Sequence, residues 1–576
     1  MRRWSWWFVL GILVLTAFPV DSRAAGPDAH KPNIVLITLD STRADRMGFL
    51  GAHSGLTPNL DSIARQGIIF TQAYAQAPLT VESHATILTG VYPQIHRASE
   101  FAVPLPTSLP YLPDLLHASG YRTAAFVGSI LLDPANGPFQ KYDRGFDVFD
   151  AAFHQPQRGE SRYQTVARRA EEVVAHAKKW IARNKQQPFF LWVNLHDPGA
   201  PDGSYDRAVA ATDAAAGKLI AFLRAQSLYD DAVIVIASSQ GESLGAHGED
   251  AHGVFLYAET VHVPLLLKLP KGQMAGKQVR NRARLLEVAP TVLEAAGIPV
   301  PTQMQGQSLL RIAQASSQAD QPAYARSDFA HQGFQSAVLE SWRAGKYLYI
   351  RAPKPELYDV SADPGATRNL AQSSKATLDT LASQLRTLDS RLASEPGKES
   401  ATGLTSSEMQ KLASLGYVGL QKTGAGVTVA TEGSDPNDVI AAANKTLGAL
   451  HDLDDGKPEK AIPVLQQILA AQPNLYLAQF AMGTAQFQLQ HYAGAIEPLH
   501  KAIELQPDSA FAHYTMGLCL MKTGDFKTSA VHLEIAAQRL PQFSALHSAL
   551  AETYEHLGRT QDAARERAAA AKVNRG

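Results

Sequence analysis

The sequence predicts an α/β domain built on a mostly parallel sheet flanked by helices, then a small subdomain, then an all-α repeat solenoid. Three observations point there. From Asn33 to about Thr291, short apolar runs alternate with helix-length segments, the pattern of β-α-β units. Between Gln321 and Leu392, SWRAGKYLYIRAPKPELYDV reads as an antiparallel hairpin followed by a closing helix. Beyond Asp438, the same residue types return every 34 positions.

Composition narrows the function classes. The 576 residues include 53 Lys+Arg against 54 Asp+Glu, a formal net charge of -1. Such a balance lacks the basic footprint of a nucleic-acid binder. A 45% hydrophobic and 19% charged chain is neither disordered nor a multi-span membrane protein. The single cysteine, Cys519, excludes an internal disulfide and any multi-thiolate zinc or iron–sulfur centre.

In chain order, Arg2 and Arg3 precede an apolar stretch from Trp4 to Val20, and Ser22 and Ala24 fit the −3 and −1 positions of a signal-peptidase site. Residues 1–24 are therefore expected to be a signal peptide, with the mature chain periplasmic or extracellular. The alternative is an uncleaved membrane anchor, although spanning wants about 20 apolar residues. Strands are expected at Asn33–Leu39, Thr123–Gly128, Pro188–Leu195, Val233–Ser238 and Pro264–Leu269, with helices at Arg168–Lys185 and Ala208–Gln226. The α/β part spans residues 31–392, and the Gly/Ser/Thr/Glu-rich residues 393–437 read as a linker.

In the tail, Pro473, Pro507 and Pro541 are 34 apart, as are Leu465, Leu499 and Leu533, and Gly483 and Gly517. Small residues there let paired helices approach, and the prolines stop the second helix. Residues 438–572 resemble about four tetratricopeptide repeats, which implies a groove for a protein or peptide partner.

Ligands of open parallel sheets bind beyond the carboxyl ends of the strands. Asp40, Asn194 with His196 and Asp197, and Ser239 with Gln240 stand there. Thr80 lies just ahead of the apolar segment His84–Leu88. A hydroxyl at a helix amino terminus faces unpaired N–H groups that favour an alkoxide or a bound oxyanion. The alternative is that Thr80 or Ser83 is an N-cap.

NIVLITLDSTRADRMG, TPNLDSIARQGIIFTQAYAQAPLTVESHATILTGVYP, FFLWVNLHDPGAP and SSQGESLGAHGEDAHGVFLYAETVHVPLLLK occur in this order, followed by LLEVAPTVLEAAGIPVP and PELYDVSADPGATRNLA. Over about Lys31–Leu392 the chain resembles the sulfatase branch of the alkaline-phosphatase superfamily. The resemblance implies hydrolysis or transfer at sulfate, phosphate or phosphonate esters, with one divalent metal ion (calcium, zinc or manganese) and a metal-bound nucleophile. It places the nucleophile at Thr80, with His84 in place of the sulfatase arginine. The metal ligands fall at Asp40, Ser239 and Gln240, and His252 fits a group contacting the transferred moiety. Substrate-side positions fall at Asn194 and His196, and Gly199 stands where the family has a histidine. Threonine does not yield formylglycine by the sulfatase route, so a formylglycine mechanism is expected to be absent. Ser239 replaces a negative ligand by a neutral hydroxyl, so the cation is expected to be weakly held or lost. Two readings stay open: an exported enzyme using Thr80, and a non-catalytic pseudoenzyme that acts as a binding or scaffold protein through its repeats.

Overall fold

The computed structural model describes residues 31–98, 105–134, 141–153, 168–196, 204–315, 320–393, 433–541 and 543–573. The expected signal peptide, most of the expected linker, Asp197 and Gly199 lie outside them. Eight strands form the main sheet: β1 (Ile34–Leu39), β2 (Ile68–Phe70), β3 (Arg122–Phe126), β4 (Val148–Asp150), β5 (Phe189–Leu195), β6 (Val233–Ser238), β7 (Leu265–Lys268) and β8 (Gln278–Val279). Their order is β4-β3-β5-β1-β6-β7-β2-β8. All neighbours are parallel except β7, which runs antiparallel to both β6 and β2.

The sheet is covered on both faces, which explains why its strands are near-continuous apolar runs. Alternation along β1 sends Ile34 and Leu36 into one core and Val35, Ile37 and Leu39 into the other. The first core holds α1 (Thr80–Thr89) through Val81, Ala85 and Leu88. The second holds α2 (Ala170–Asn184) and α3 (Tyr205–Ala225), through Val173, Ala177 and Ile181, and Ala216, Leu219 and Leu223. The Ser204 side chain caps α3 by accepting from the Arg207 N–H.

The small subdomain is larger than a hairpin. Strands β9 (Ala323–Ser327), β10 (Leu339–Ala344), β11 (Tyr347–Arg351) and β12 (Glu356–Asp359) form an antiparallel meander. Short helix α4 (Phe329–Phe334) joins its first two strands, and α5 (Lys375–Ala393) closes it.

The described tail is helical: α6 (Pro436–Asp454), α7 (Pro458–Ala471), α8 (Tyr476–Gln488), α9 (Tyr492–Leu505), α10 (Ala510–Thr523), α11 (Phe526–Arg539), α12 (Ser544–His556) and α13 (Thr560–Val573). Helices α8, α10 and α12 start 34 residues apart, as do α9, α11 and α13. The repeated glycines sit where paired helices touch: a Cβ on Gly483 would lie 2.5 Å from Leu499 Cγ, and one on Gly517 2.6 Å from Leu533 Cγ. The described residues from Pro32 onward form one compact unit, with Phe334 of α4 inside the apolar core of the array. Among the described residues no helix is long and apolar enough to cross a membrane.

Candidate functional site

Sheet register assembles the centre. In the central strand β1, Leu39 pairs with Leu195 of β5 and Ser238 of β6. The next residues, Asp40, His196 and Ser239, therefore emerge side by side at the carboxyl edge, with Gln240 following. Ser41 turns the chain away with a left-handed φ of 50°.

Thr80 is the first residue of α1 rather than a residue ahead of it, and Leu79 holds the cap position without a side-chain bond. The Thr80 hydroxyl donates to Asp40 Oδ1 at 3.1 Å, across the site instead of onto its own helix end. Ser83 donates to the Ala77 carbonyl at 2.7 Å. Neither hydroxyl therefore caps α1.

Asp40 Oδ1 is the hub. Besides Thr80 it accepts from Ser239 Oγ at 2.8 Å and Gln240 Nε2 at 3.0 Å. His196 Nδ1 lies 3.4 Å from Oδ2. Burial works against the Asp40 charge, but nearby His196, then His84 and the Ser239 hydroxyl, outweigh it, while Oδ2 is buried with no hydrogen-bond partner. The carboxyl is held well below its usual range. Gln240 Nε2 also reaches Thr80 Oγ1 at 3.1 Å and Ser41 Oγ at 3.2 Å, while its Oε1 is buried without a hydrogen-bond partner.

His252 stands 3.5 Å from Gln240 Nε2, and its Nδ1 meets Glu242 Oε2 at 2.8 Å. Burial pulls its pKa down, but the charge and hydrogen bond of Glu242 push it up to about 9. The ring is a cation at neutral pH. The side chains of His196 and His252, 27% and 23% exposed, are the more open members of the cluster.

His84 and Asn194 lie underneath. His84 Nδ1 bonds the Thr80 carbonyl at 2.7 Å and Nε2 bonds Thr38 Oγ1 at 3.0 Å. Burial lowers its pKa. Asn194 accepts the Gly128 and Ser129 N–H groups through Oδ1, both at 3.2 Å, and its Nδ2 faces Thr38 and His84. Both residues are fully buried beneath Thr80. Sequence reasoning missed two supports. Thr38 joins His84, Trp192 and Asn194, and Arg43 donates to the carbonyls of Glu242 and Ser243. Arg43 sits in the DSTRAD motif, but only the folded loop shows what it holds.

The donor set is a poor match for a divalent cation. Among the described residues no group of three or more His, Cys, Asp or Glu side chains could hold a metal ion. Asp40 is the one carboxylate of the Asp40, Ser239, Gln240 and Thr80 cluster, and hard cations need several oxygens with compensating charge. Ser239 and Gln240 here act as hydrogen-bond donors toward Asp40.

The sulfatase family profile matches residues 32–298, and that of the N-sulphoglucosamine sulphohydrolase C-terminal region matches residues 250–392. The chain is 25% identical to an ulvan-active sulfatase of Formosa agariphila over 430 residues, 64% of this chain and 82% of that one. It is 23% identical to arylsulfatase K of Canis lupus familiaris over 454 residues, 63% of this chain and 84% of that one. The phosphonate monoester hydrolase of Agrobacterium radiobacter shares the fold, with a TM-score of 0.53 at 19% identity, covering 63% of this chain and 96% of that one.

Proposed function

From the premise that residues 32–392 form a sulfatase-family domain of the ester-hydrolase type, we propose that it recognises sulfate-, phosphate- or phosphonate-type esters at a centre whose cation site has degraded. The observation that carries this reading is the Ser239 hydroxyl 2.8 Å from Asp40 Oδ1, where the family pattern calls for a second negative ligand. What remains suits recognition of an anion: cationic His252, the hydroxyl of Thr80 and the amino end of α1. The relatives named above act on esters of this kind by their names, which supports the substrate class. Threonine at position 80, with Cys519 buried in the array, argues against formylglycine.

A non-catalytic role has an observation of its own. The Thr80 hydroxyl donates to Asp40 Oδ1, an oxygen that already accepts from Ser239 and Gln240 and so has little capacity left to take the Thr80 proton. Thr80 then depends on a bound cation to become a nucleophile, so a lost cation site leaves binding without turnover. In this reading the α/β domain binds the ester, and the array, as tetratricopeptide-like repeats, recruits a protein or peptide partner outside the cytoplasm.

The test is metal content and turnover of an aryl phosphonate monoester by the full chain. Substoichiometric metal with slow or undetectable Thr80-dependent hydrolysis is expected. One tightly held metal with brisk hydrolysis that vanishes in Thr80→Ala would overturn the degraded centre.

A further inference from the structure

The loop carrying Glu242 and His252 has an imposed shape. Leu244 and His247 have φ of 55° and 54°, left-handed values that a residue with a Cβ keeps only when its surroundings enforce them. One end is anchored by Arg43 Nη1, 2.9 Å from the Glu242 carbonyl and 3.3 Å from that of Ser243. The other is anchored by the Glu249 carboxyl, which accepts the Val254 N–H at 2.7 Å and the Phe255 N–H at 3.3 Å. Between these anchors the loop bonds largely to itself, as from Ser243 N to Ala251 O and Gly245 N to Glu249 O.

A side chain from the helical array crosses to this middle stretch. Asn444 of α6 donates from Nδ2 to the Gly248 carbonyl at 2.8 Å and accepts the Asp250 N–H on Oδ1 at 3.3 Å. One turn earlier, Ile440 Cγ2 lies 3.9 Å from where a Cβ on Gly248 would stand. Helix α6 is itself tied to the small subdomain. Asp435 accepts the Lys354 N–H at 3.0 Å, and Asn437 reaches Glu356 Oε1 at 3.3 Å. Glu356 Oε2 in turn accepts the Tyr257 hydroxyl at 2.6 Å, just beyond the loop.

We propose that Asn444 is a positioning residue of the ester centre: by bridging Gly248 and Asp250 it holds the strained loop in register and makes the array part of the site's support. This rests on the reading of the centre as an ester site. The array then serves as more than a separate recruiting module, because any displacement of α6 loosens the backbone between Glu242 and His252.

The test uses the full chain with Asn444→Ala and Asn444→Gln. Amide hydrogen exchange at Asp250 should speed up by about two- to tenfold in Asn444→Ala, the range expected for losing one ordinary hydrogen bond. The acceleration should extend toward His252, leave α10 unchanged and be partly reversed in Asn444→Gln. In a Ser239→Asp/Gln240→His background, Asn444→Ala should lower kcat for an aryl phosphonate monoester more than it raises KM. Unchanged exchange at Asp250, or equal acceleration in α10, overturns the proposal. Should the double variant hydrolyse no such ester, the reading of the centre fails, while the exchange result still judges the bridge by itself.

Discussion

Ser239 Oγ donates a 2.8 Å hydrogen bond to Asp40 Oδ1. The position after β6 thus supplies a neutral donor to Asp40, the one carboxylate of the Asp40, Ser239, Gln240 and Thr80 cluster. With Gln240 and Thr80 it saturates that oxygen by hydrogen bonds.

Restoring charge should restore the cation. In Ser239→Asp/Gln240→His, bound metal should rise from substoichiometric to about one per chain, because ligand number and charge set affinity. Elemental analysis after exhaustive dialysis checks this. Hydrolysis of an aryl phosphodiester should appear with the metal and disappear when Thr80→Ala is added.

His252 should titrate with a raised midpoint because Glu242 faces it. The folded pKa of His252, about 9, lies above its ordinary 6.5. The pair's contribution to stability is therefore complete below pH 6.5 and is lost as pH rises through about 9. Glu242→Gln removes the largest influence that raises the pKa and leaves only Asp40 and Glu249 to oppose burial, so the midpoint should fall well below 9. An NMR titration of the His252 ring proton reads this directly, and a midpoint still near 9 would assign the shift to another group.

Asn194→Ala should act on the fold. It leaves the buried Gly128 and Ser129 N–H groups without their acceptor, a loss of about 2–4 kcal/mol in unfolding free energy. Urea denaturation measures it. A stable Asn194→Ala protein with weakened ester binding would give Asn194 a substrate role instead.

Two glycines in the array should respond oppositely to alanine. Gly517→Ala forces a methyl against buried Leu533 and should destabilise by about 1–3 kcal/mol. Gly448, inside α6, has nothing within 4 Å of an added Cβ, so Gly448→Ala should stabilise by up to about 1 kcal/mol. Thermal unfolding of each variant gives the sign.

Much of the fold was legible because it is written locally. The apolar run Val233–Ser238 is bounded in the structure as it is in the sequence, and residues flanking β1, β5 and β6 do converge. The direction of β7 was not legible, since PLLLKL is equally apolar read either way. Strand β9 escaped notice because AYARS alternates weakly and its partner lies beyond α4. The helix at Thr80 begins earlier than its apolar segment indicates. Thr80 and Ser83 bond across to Asp40 and Ala77, leaving the polar first turn helical without a side-chain cap.

By itself the sequence determined the inventory: a threonine just ahead of a short apolar segment, Asp40 alone among carboxylates in the matched ligand positions, Ser239 in place of a charge, and a 34-residue period. The tertiary structure decided which atoms meet. It directed three donors onto one oxygen of Asp40, turned Asn194 inward to the Gly128–Ser129 backbone, and brought Asn444 to Gly248 and Asp250. Residue type is local and survives in any sequence reading. Hydrogen-bond partners lying far apart in the chain are chosen by sheet register and helix docking, which no local pattern encodes.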